Sequence, residues 1–362
     1  MANETLICDA CDEISHRPDW RAVLSEAIRD PVELCRAAGL APELGAKALS
    51  ASYGRPVLVP QPYHARIRHG DPTDPLLLQV LPQAAETASS PGFSADPLGE
   101  RSARLGPGLL QKYKGRLLMV ASVACAVHCR FCFRRHFPFD ELGANIGPAT
   151  APTAGSQPPH CNEKAFRDNI HFALQTLAAD RSIHEIILSG GDPLMLSDEA
   201  LGELTDRLAE IAHLRRMRIH TRLPIVIPSR ITDGLIRSIR GTRLTAIVAV
   251  HVNHPNEIDG DVAESLGRLV EAGVPLLGQT VLLRGVNDRA DVLAELCERL
   301  VDFRVMPYYL HQLDRVAGTA HFEVPEPVGR KLLADLRSRL PGYAVPRYVR
   351  ETPGGSNKQI LE

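Results

Sequence analysis

From Arg116 onward, short apolar runs alternate with stretches of helical spacing, and this alternation constrains the fold more than any other feature. Strand-like runs occupy residues 116–123, 185–189, 218–222, 245–250, 276–283 and 303–309. Helical stretches lie near 165–178, 198–213, 233–240, 262–272 and 290–300. Strand, helix, strand in this order predicts parallel strands joined by right-handed crossovers. Six units fall short of a closed eight-stranded barrel. The expected fold is therefore α/β, a partial (β/α)6 barrel whose open mouth could admit an amino-acid-sized molecule. Active residues of such barrels lie at the C-terminal ends of the strands.

Residues 1–108 read as a helical, partly irregular annex, 109–313 as the barrel core, and 314–362 as a C-terminal segment. In the annex, residues 20–29 have helical spacing, and Asp30-Pro31 restarts a second helix that runs to Leu40. The Pro- and Gly-dense stretch 56–107 should wrap over a core instead of forming one. Residues 147–160 form a low-complexity loop with no chemistry assigned.

A chain of 362 residues with 44% hydrophobic and 23% charged side chains has an ordinary globular composition. A net charge of −2, 5% aromatic residues and no basic stripe give no basis for nucleic-acid or anionic-membrane binding. No apolar run approaches the roughly 18 residues of a membrane span, and the N-terminus lacks the features of a signal peptide.

Directly after the first strand comes Cys125-Ala-Val-His-Cys129-Arg-Phe-Cys132, three thiols at C-x3-C-x2-C spacing. Three thiolates on one loop suit a cubane iron–sulfur cluster and leave one iron without a protein donor. A structural zinc site wants four closed ligands. No second cysteine pair lies nearby, and His128 sits inside the loop, where its geometry is poor. Clustered thiolates need a reducing compartment, so the cytoplasm is expected. Cys8 and Cys11 read as an incidental pair, and Cys35, Cys161 and Cys297 as packing or surface thiols.

The second strand ends in Ser189-Gly190-Gly191-Asp192-Pro193. Two glycines permit close backbone approach, and Asp192 adds an acceptor. The cysteine spacing with the following Phe133 is similar to that of radical S-adenosylmethionine (SAM) enzymes, and this resemblance makes the turn a site for the amino group and carboxylate of SAM; the alternative is a tight turn with a helix cap from Ser197 or Asp198. Gln279, polar among apolar strand residues, must find a partner or face the mouth, and is assigned a cofactor contact. His251 and His254 read as satisfied loop histidines. Lys358, on the turn Thr352-Pro-Gly-Gly-Ser-Asn-Lys358, could form a Schiff base with pyridoxal phosphate (PLP).

The cysteine spacing followed by aromatic Phe133 resembles the radical SAM signature. With it occur, in order, Leu188-Ser-Gly-Gly-Asp-Pro-Leu, His251-Val-Asn-His-Pro-Asn-Glu, Gln279-Thr-Val-Leu-Leu-Arg-Gly-Val-Asn-Asp and Pro353-Gly-Gly-Ser-Asn-Lys. Jointly these strings resemble the lysine 2,3-aminomutases, from about Leu109 to Lys358. The runs Cys129-Arg-Phe-Cys-Phe-Arg-Arg-His-Phe-Pro-Phe and Tyr308-Tyr-Leu-His-Gln-Leu-Asp are similar to the branch that makes β-lysine for elongation factor P.

The resemblance implies an isomerase. Cys125, Cys129 and Cys132 would hold a 4Fe–4S cluster, and SAM cleaved there would give a 5′-deoxyadenosyl radical. Lys358 would carry PLP, Arg116 would approach its phosphate, and Arg134 would bind the substrate carboxylate. An external electron donor and a link to an elongation factor P lysyl ligase are implied as partners. Lysine-specific members place two aspartates at the substrate's distal amine; the first is matched here to Gln312 and the second to Glu351, with Asp314 near but off the matching position. One charge then appears missing, which predicts weaker or altered lysine binding and leaves open a 2,3-aminomutase for another amino acid such as glutamate. The chain also ends without the family's cysteine-bearing, zinc-binding extension, so tetramer formation by that route is not expected. A reading of another class is a non-catalytic iron–sulfur binding module.

Overall fold

The computed structural model describes residues 18–51, 56–139 and 163–362. Cys8, Cys11, Cys161 and the 147–160 loop lie outside the described residues.

Five short helices open the described chain: α1 (Trp20–Ser25), α2 (Pro31–Ala37), α3 (Pro42–Ala51), α4 (Gln61–His64) and α5 (Pro75–Leu78). Helix α2 begins where Asp30-Pro31 predicts. The Asp30 carboxylate accepts from the Val32 and Glu33 amides, and Pro31 fills the first helical position. Helix α1 is shorter than its spacing predicts, because Ile28 leaves it to form a β-bridge with Val59.

Two small strands, β1 (Arg104–Gly106) and β2 (Leu109–Leu110), lead antiparallel into the barrel sheet. The barrel units follow as β3 (Arg116–Ser122), α6 (Glu163–Ala179), β4 (Glu185–Gly190), α7 (Asp198–Ala209), β5 (Arg216–Thr221), α8 (Leu223–Val226), α9 (Asp233–Arg240), β6 (Thr245–His251), α10 (Gly260–Glu271), β7 (Leu276–Val281), α11 (Ala290–Asp302) and β8 (Val305–His311). Then come α12 (Glu326–Arg339), β9 (Arg347–Arg350) and β10 (Gln359–Ile360). The ten strands pair in sequence order, parallel from β3 to β9, and no pairing joins β1 to β10. This is the expected open, partial barrel, extended by a seventh parallel strand, β9, that the sequence does not announce.

Side chains near the ends set the element boundaries. Ser197, Thr232 and Asp259 cap α7, α9 and α10 by accepting from the amide three residues on. Helix α7 stops four residues before its expected end. There the Arg243 guanidinium donates to the Ala209, Ile211 and Leu214 carbonyls and so satisfies the departing chain. Strand β8 starts two residues later than expected, since Phe303 and Arg304 close α11, with Arg304 at φ 59°.

One apolar cluster joins Leu117, Ile186, Met217 and Val248 of the strands to Leu204 and Leu266 of the helices and to Trp20, Leu34 and Tyr63 of the annex. Each such side chain contributes about 1.5–3 kcal/mol on burial. The annex is also pinned by charge. Buried Glu86 takes hydrogen bonds from Arg130 and Arg135, which flank the last cysteine of the loop. Removing one partner of such a buried set costs about 3–5 kcal/mol.

Candidate active site

The C-terminal ends of the parallel strands open on one cavity of about 760 Å3. It is lined by Cys125, Cys129, Cys132, Arg116, Arg134, Gly190, Gly191, Asp192, Gln279, Glu351 and Lys358, all singled out from the sequence.

The cysteine loop leaves β3 at its C-terminal end. Its three cysteines are half-buried and form no disulfide. Among the described residues no three His, Cys, Asp or Glu side chains are gathered for a single metal ion. A cubane cluster, with each thiolate on its own iron, does not require that. His128 turns away, its Nδ1 2.8 Å from the Pro56 carbonyl. Arg222, at the end of β5, donates from Nη1 to the Cys129 Sγ at 2.7 Å.

The two glycines are required by neighbouring backbone. Gly190 adopts φ 122°, and a Cβ there would lie 2.2 Å from the Ser122 carbonyl oxygen. A Cβ on Gly191 would lie 2.2 Å from the Ala124 oxygen. The Gly191 and Asp192 amides donate to Ser122 and Ala124, which locks the turn against the start of the cysteine loop. The Asp192 carboxylate accepts from the Leu194 amide, the Thr221 hydroxyl and the Arg222 amide. Burial pushes its pKa up to about 6 against those hydrogen bonds. The Asp192 carboxylate thus ties the ends of β4 and β5 together, and the Asp192 backbone amide ties them to the start of the cysteine loop.

A chain of alternating charges crosses the cavity wall. Buried Arg134 donates to both oxygens of Glu100 at 2.8 Å and to the Ser189 hydroxyl at 2.9 Å. Lys112 bridges Glu100 (3.0 Å) and Glu351 (2.8 Å), and Lys358 donates to the other Glu351 oxygen. Burial pushes the Glu351 carboxyl up, but Lys358 and Lys112 outweigh it and hold the group well below the usual range. The pairing follows from the β9–β10 hairpin: Arg350 is opposite Gln359, so their neighbours Glu351 and Lys358 face each other.

Two departures from expectation stand out. Gln312 does not line this cavity. Its amide donates to the Val324 carbonyl at 2.9 Å, and its carbonyl accepts from the Tyr348 hydroxyl, in the packing between β8, β9 and α12. Asp314 lines the cavity together with Glu351. Burial, with Glu351 adding to it, pushes Asp314 up to about 7. Two carboxylates, Asp314 and Glu351, are thus brought to one cavity. The histidines also differ. His254 is a satisfied loop histidine, accepting from the Asn256 amide. His251 lines the cavity, bonded to Asn253, and burial lowers it to about 4.

Arg116, His220 and Arg218 each bring to the cavity wall a buried side-chain nitrogen that lacks a protein partner. Gln279 projects from β7 into the same space, half-buried. The sequence reading missed Glu100, Lys112 and Arg222. Glu100 and Lys112 lie in or beside the irregular stretch, where no periodicity marks them, and only its place at a strand end marks Arg222. Cys35 and Cys297 are buried packing thiols, and burial raises both.

No family model matches the chain. It is 42% identical over 347 residues to the L-lysine 2,3-aminomutase of Haemophilus influenzae, covering 96% of each chain. It is 41% identical to the Escherichia coli protein of that name, covering 96% of this chain and 95% of the relative. The Clostridium subterminale protein of that name is 36% identical over 296 residues, which is 82% of this chain and 66% of that one. Among solved structures, a radical SAM methyltransferase from Sphaerobacter thermophilus overlays with a TM-score of 0.43 at 19% identity, covering 67% of this chain and 68% of that one. At the identity it shares with these relatives over nearly its whole length, the chain belongs to the L-lysine 2,3-aminomutase family.

Proposed function

We propose that this chain converts L-α-lysine to β-lysine, using a 4Fe–4S cluster on Cys125, Cys129 and Cys132, SAM, and PLP on Lys358. The observation that carries this reading is that the cysteine loop, Lys358 and the Asp314–Glu351 pair open on one cavity. The residues fit the groups. Three half-buried thiols with a guanidinium donor suit a cluster. Arg116, with a buried Nε that lacks a protein acceptor, suits the PLP phosphate. The Ser189–Asp192 turn, bonded to the start of the cysteine loop, and Gln279, which lines the same cavity, suit SAM.

The cluster and SAM supply a carbon-centred radical, and PLP supplies a π-system that delocalises the unpaired electron. The protein's part is binding and orientation. Arg134, aimed by Glu100 and Ser189, binds the substrate carboxylate. Asp314 and Glu351 take the distal ammonium. With Lys358 holding PLP, Glu351 would keep Lys112 on one oxygen and have the other open to a substrate cation. Burial of the wall makes this charge pairing strong and penalises an unpaired group. A substrate with a distal carboxylate would meet like charge here, which disfavours glutamate.

The β-lysine formed would serve elongation factor P through a lysyl ligase, in the cytoplasm, with an external reductant feeding the cluster. Support for this setting is the resemblance of residues 129–139 and 308–314 to that branch. The test compares lysine and glutamate with cluster-loaded protein, SAM, PLP and dithionite under anaerobic conditions. β-Lysine with no β-glutamate is expected. Turnover of glutamate alone would overturn the substrate assignment. With a full cluster, turnover of neither amino acid and no SAM cleavage would favour an iron–sulfur module.

A further inference from the structure

We propose that Arg222 is a positioning residue for the cysteine loop and sets the reduction potential of the cluster it holds. The inference rests on the reading of Cys129 as a cluster ligand.

Arg222 touches Cys129 directly, Nη1 to Sγ at 2.7 Å. Everything around it fixes that contact. Its backbone amide is held by Asp192 at 2.8 Å. Its Nη2 donates to Gln79 Oε1 at 2.7 Å and Glu257 Oε2 at 2.9 Å. Gln79 in turn donates to Glu257 at 3.0 Å, and Asn253 donates to Gln79 at 2.9 Å. Gln79, Asn253 and Glu257 are completely buried, and Arg222 is 5% exposed. The guanidinium also lies over the rings of Tyr63 and Phe131. A side chain held by this many partners cannot swing away, so one N–H remains aimed at the sulfur.

Hydrogen bonds to sulfur are among the factors that set the potential of an iron–sulfur cluster. A donor or cation near the thiolate stabilises the reduced, more negative state and raises the potential, and burial strengthens the effect. Glu257 partly cancels the Arg222 charge and so acts in the opposite sense. The two residues therefore carry opposite predictions, which a purely structural role would not produce.

The experiment is an EPR-monitored redox titration of anaerobically reconstituted full-length protein, with iron counted per chain. Arg222→Gln should retain the cluster and shift the oxidised-to-reduced ratio about tenfold toward oxidised, a fall of about 59 mV for one electron. Glu257→Gln should raise the potential. Arg222→Lys keeps the charge but not the planar fork, and should give a smaller fall; it carries the test if Arg222→Gln fails to fold. Loaded variants with unchanged potentials, or with shifts of the same sign, would overturn the proposal. A wild-type protein that binds no cluster would overturn the ligand reading and this inference together.

Discussion

Lys358 donates from its Nζ to Oε2 of Glu351, the residue seven positions earlier, across the β9–β10 hairpin. On the proposed function, the acidic residue that would take a substrate cation is thus held by the lysine that would carry PLP. Glu351→Gln removes this shared anion. The expected outcome is that Lys358 still takes up PLP, seen by absorbance and by borohydride trapping, while KM for lysine rises about tenfold or more, a loss of about 1.4 kcal/mol or more. Unchanged KM would separate Glu351 from substrate binding.

Asp314 should make lysine binding pH-dependent. Its carboxyl sits up at about 7, because burial and Glu351 favour the neutral form. A bound ammonium favours the ionised form, so below pH 7 the site must first lose a proton. KM for lysine should rise about tenfold for each pH unit below that value and level off above it. Asp314→Asn should flatten the profile. For folding the sign is opposite: Asp314 is protonated in the folded chain at a pH where the unfolded chain has released the proton. Its contribution is present below the ordinary 3.8 and is lost as pH rises through about 7.

Gln312→Asp separates the two placements of the distal carboxylate. If position 312 faced the substrate, the acid would improve lysine binding. The structure sends the side chain to Val324 and Tyr348 instead. The variant should leave KM unchanged and lower stability by about 1–3 kcal/mol, because a buried acceptor at Val324 loses its donor. Thermal unfolding alongside lysine kinetics reads both.

Gly190→Ala should disrupt cluster loading before it disrupts the fold. The added Cβ meets the Ser122 carbonyl at 2.2 Å, on a backbone at φ 122° that alanine rarely adopts. The strain falls on the junction between β3 and the cysteine loop. Iron per chain after reconstitution is expected to drop severalfold, with the circular dichroism of the barrel largely retained. Wild-type iron content in this variant would contradict the account of the turn.

The barrel strands were legible because strand-length runs, which supply Leu117, Ile186, Met217 and Val248 to the apolar cluster under the helices, alternate with stretches of helical spacing. Strand β9 escaped notice because it has four residues, and Arg347 and Arg350 end it. The cysteine loop and the Lys358 turn were legible from spacing and from position at element ends. The exchange of Gln312 for Asp314 was not. Strand β8 ends at His311, and beyond it side-chain direction no longer follows a period of two. A local turn, Val316 amide to Asp314 carbonyl, accompanies the placement of Asp314 on the cavity wall. Glu100 and Lys112 gain meaning only through partners distant in sequence, Arg134 and Glu351, which no local pattern encodes.

One cavity unites the cysteine loop with Lys358. The most direct measurement is an anaerobic reaction of cluster-loaded protein with SAM, PLP, dithionite and L-lysine, with β-lysine and 5′-deoxyadenosine quantified together by mass spectrometry. Both products are expected from the wild type, neither from Cys129→Ala, and no β-lysine from Lys358→Ala. β-Lysine formation that survives loss of either side chain would contradict the proposed function.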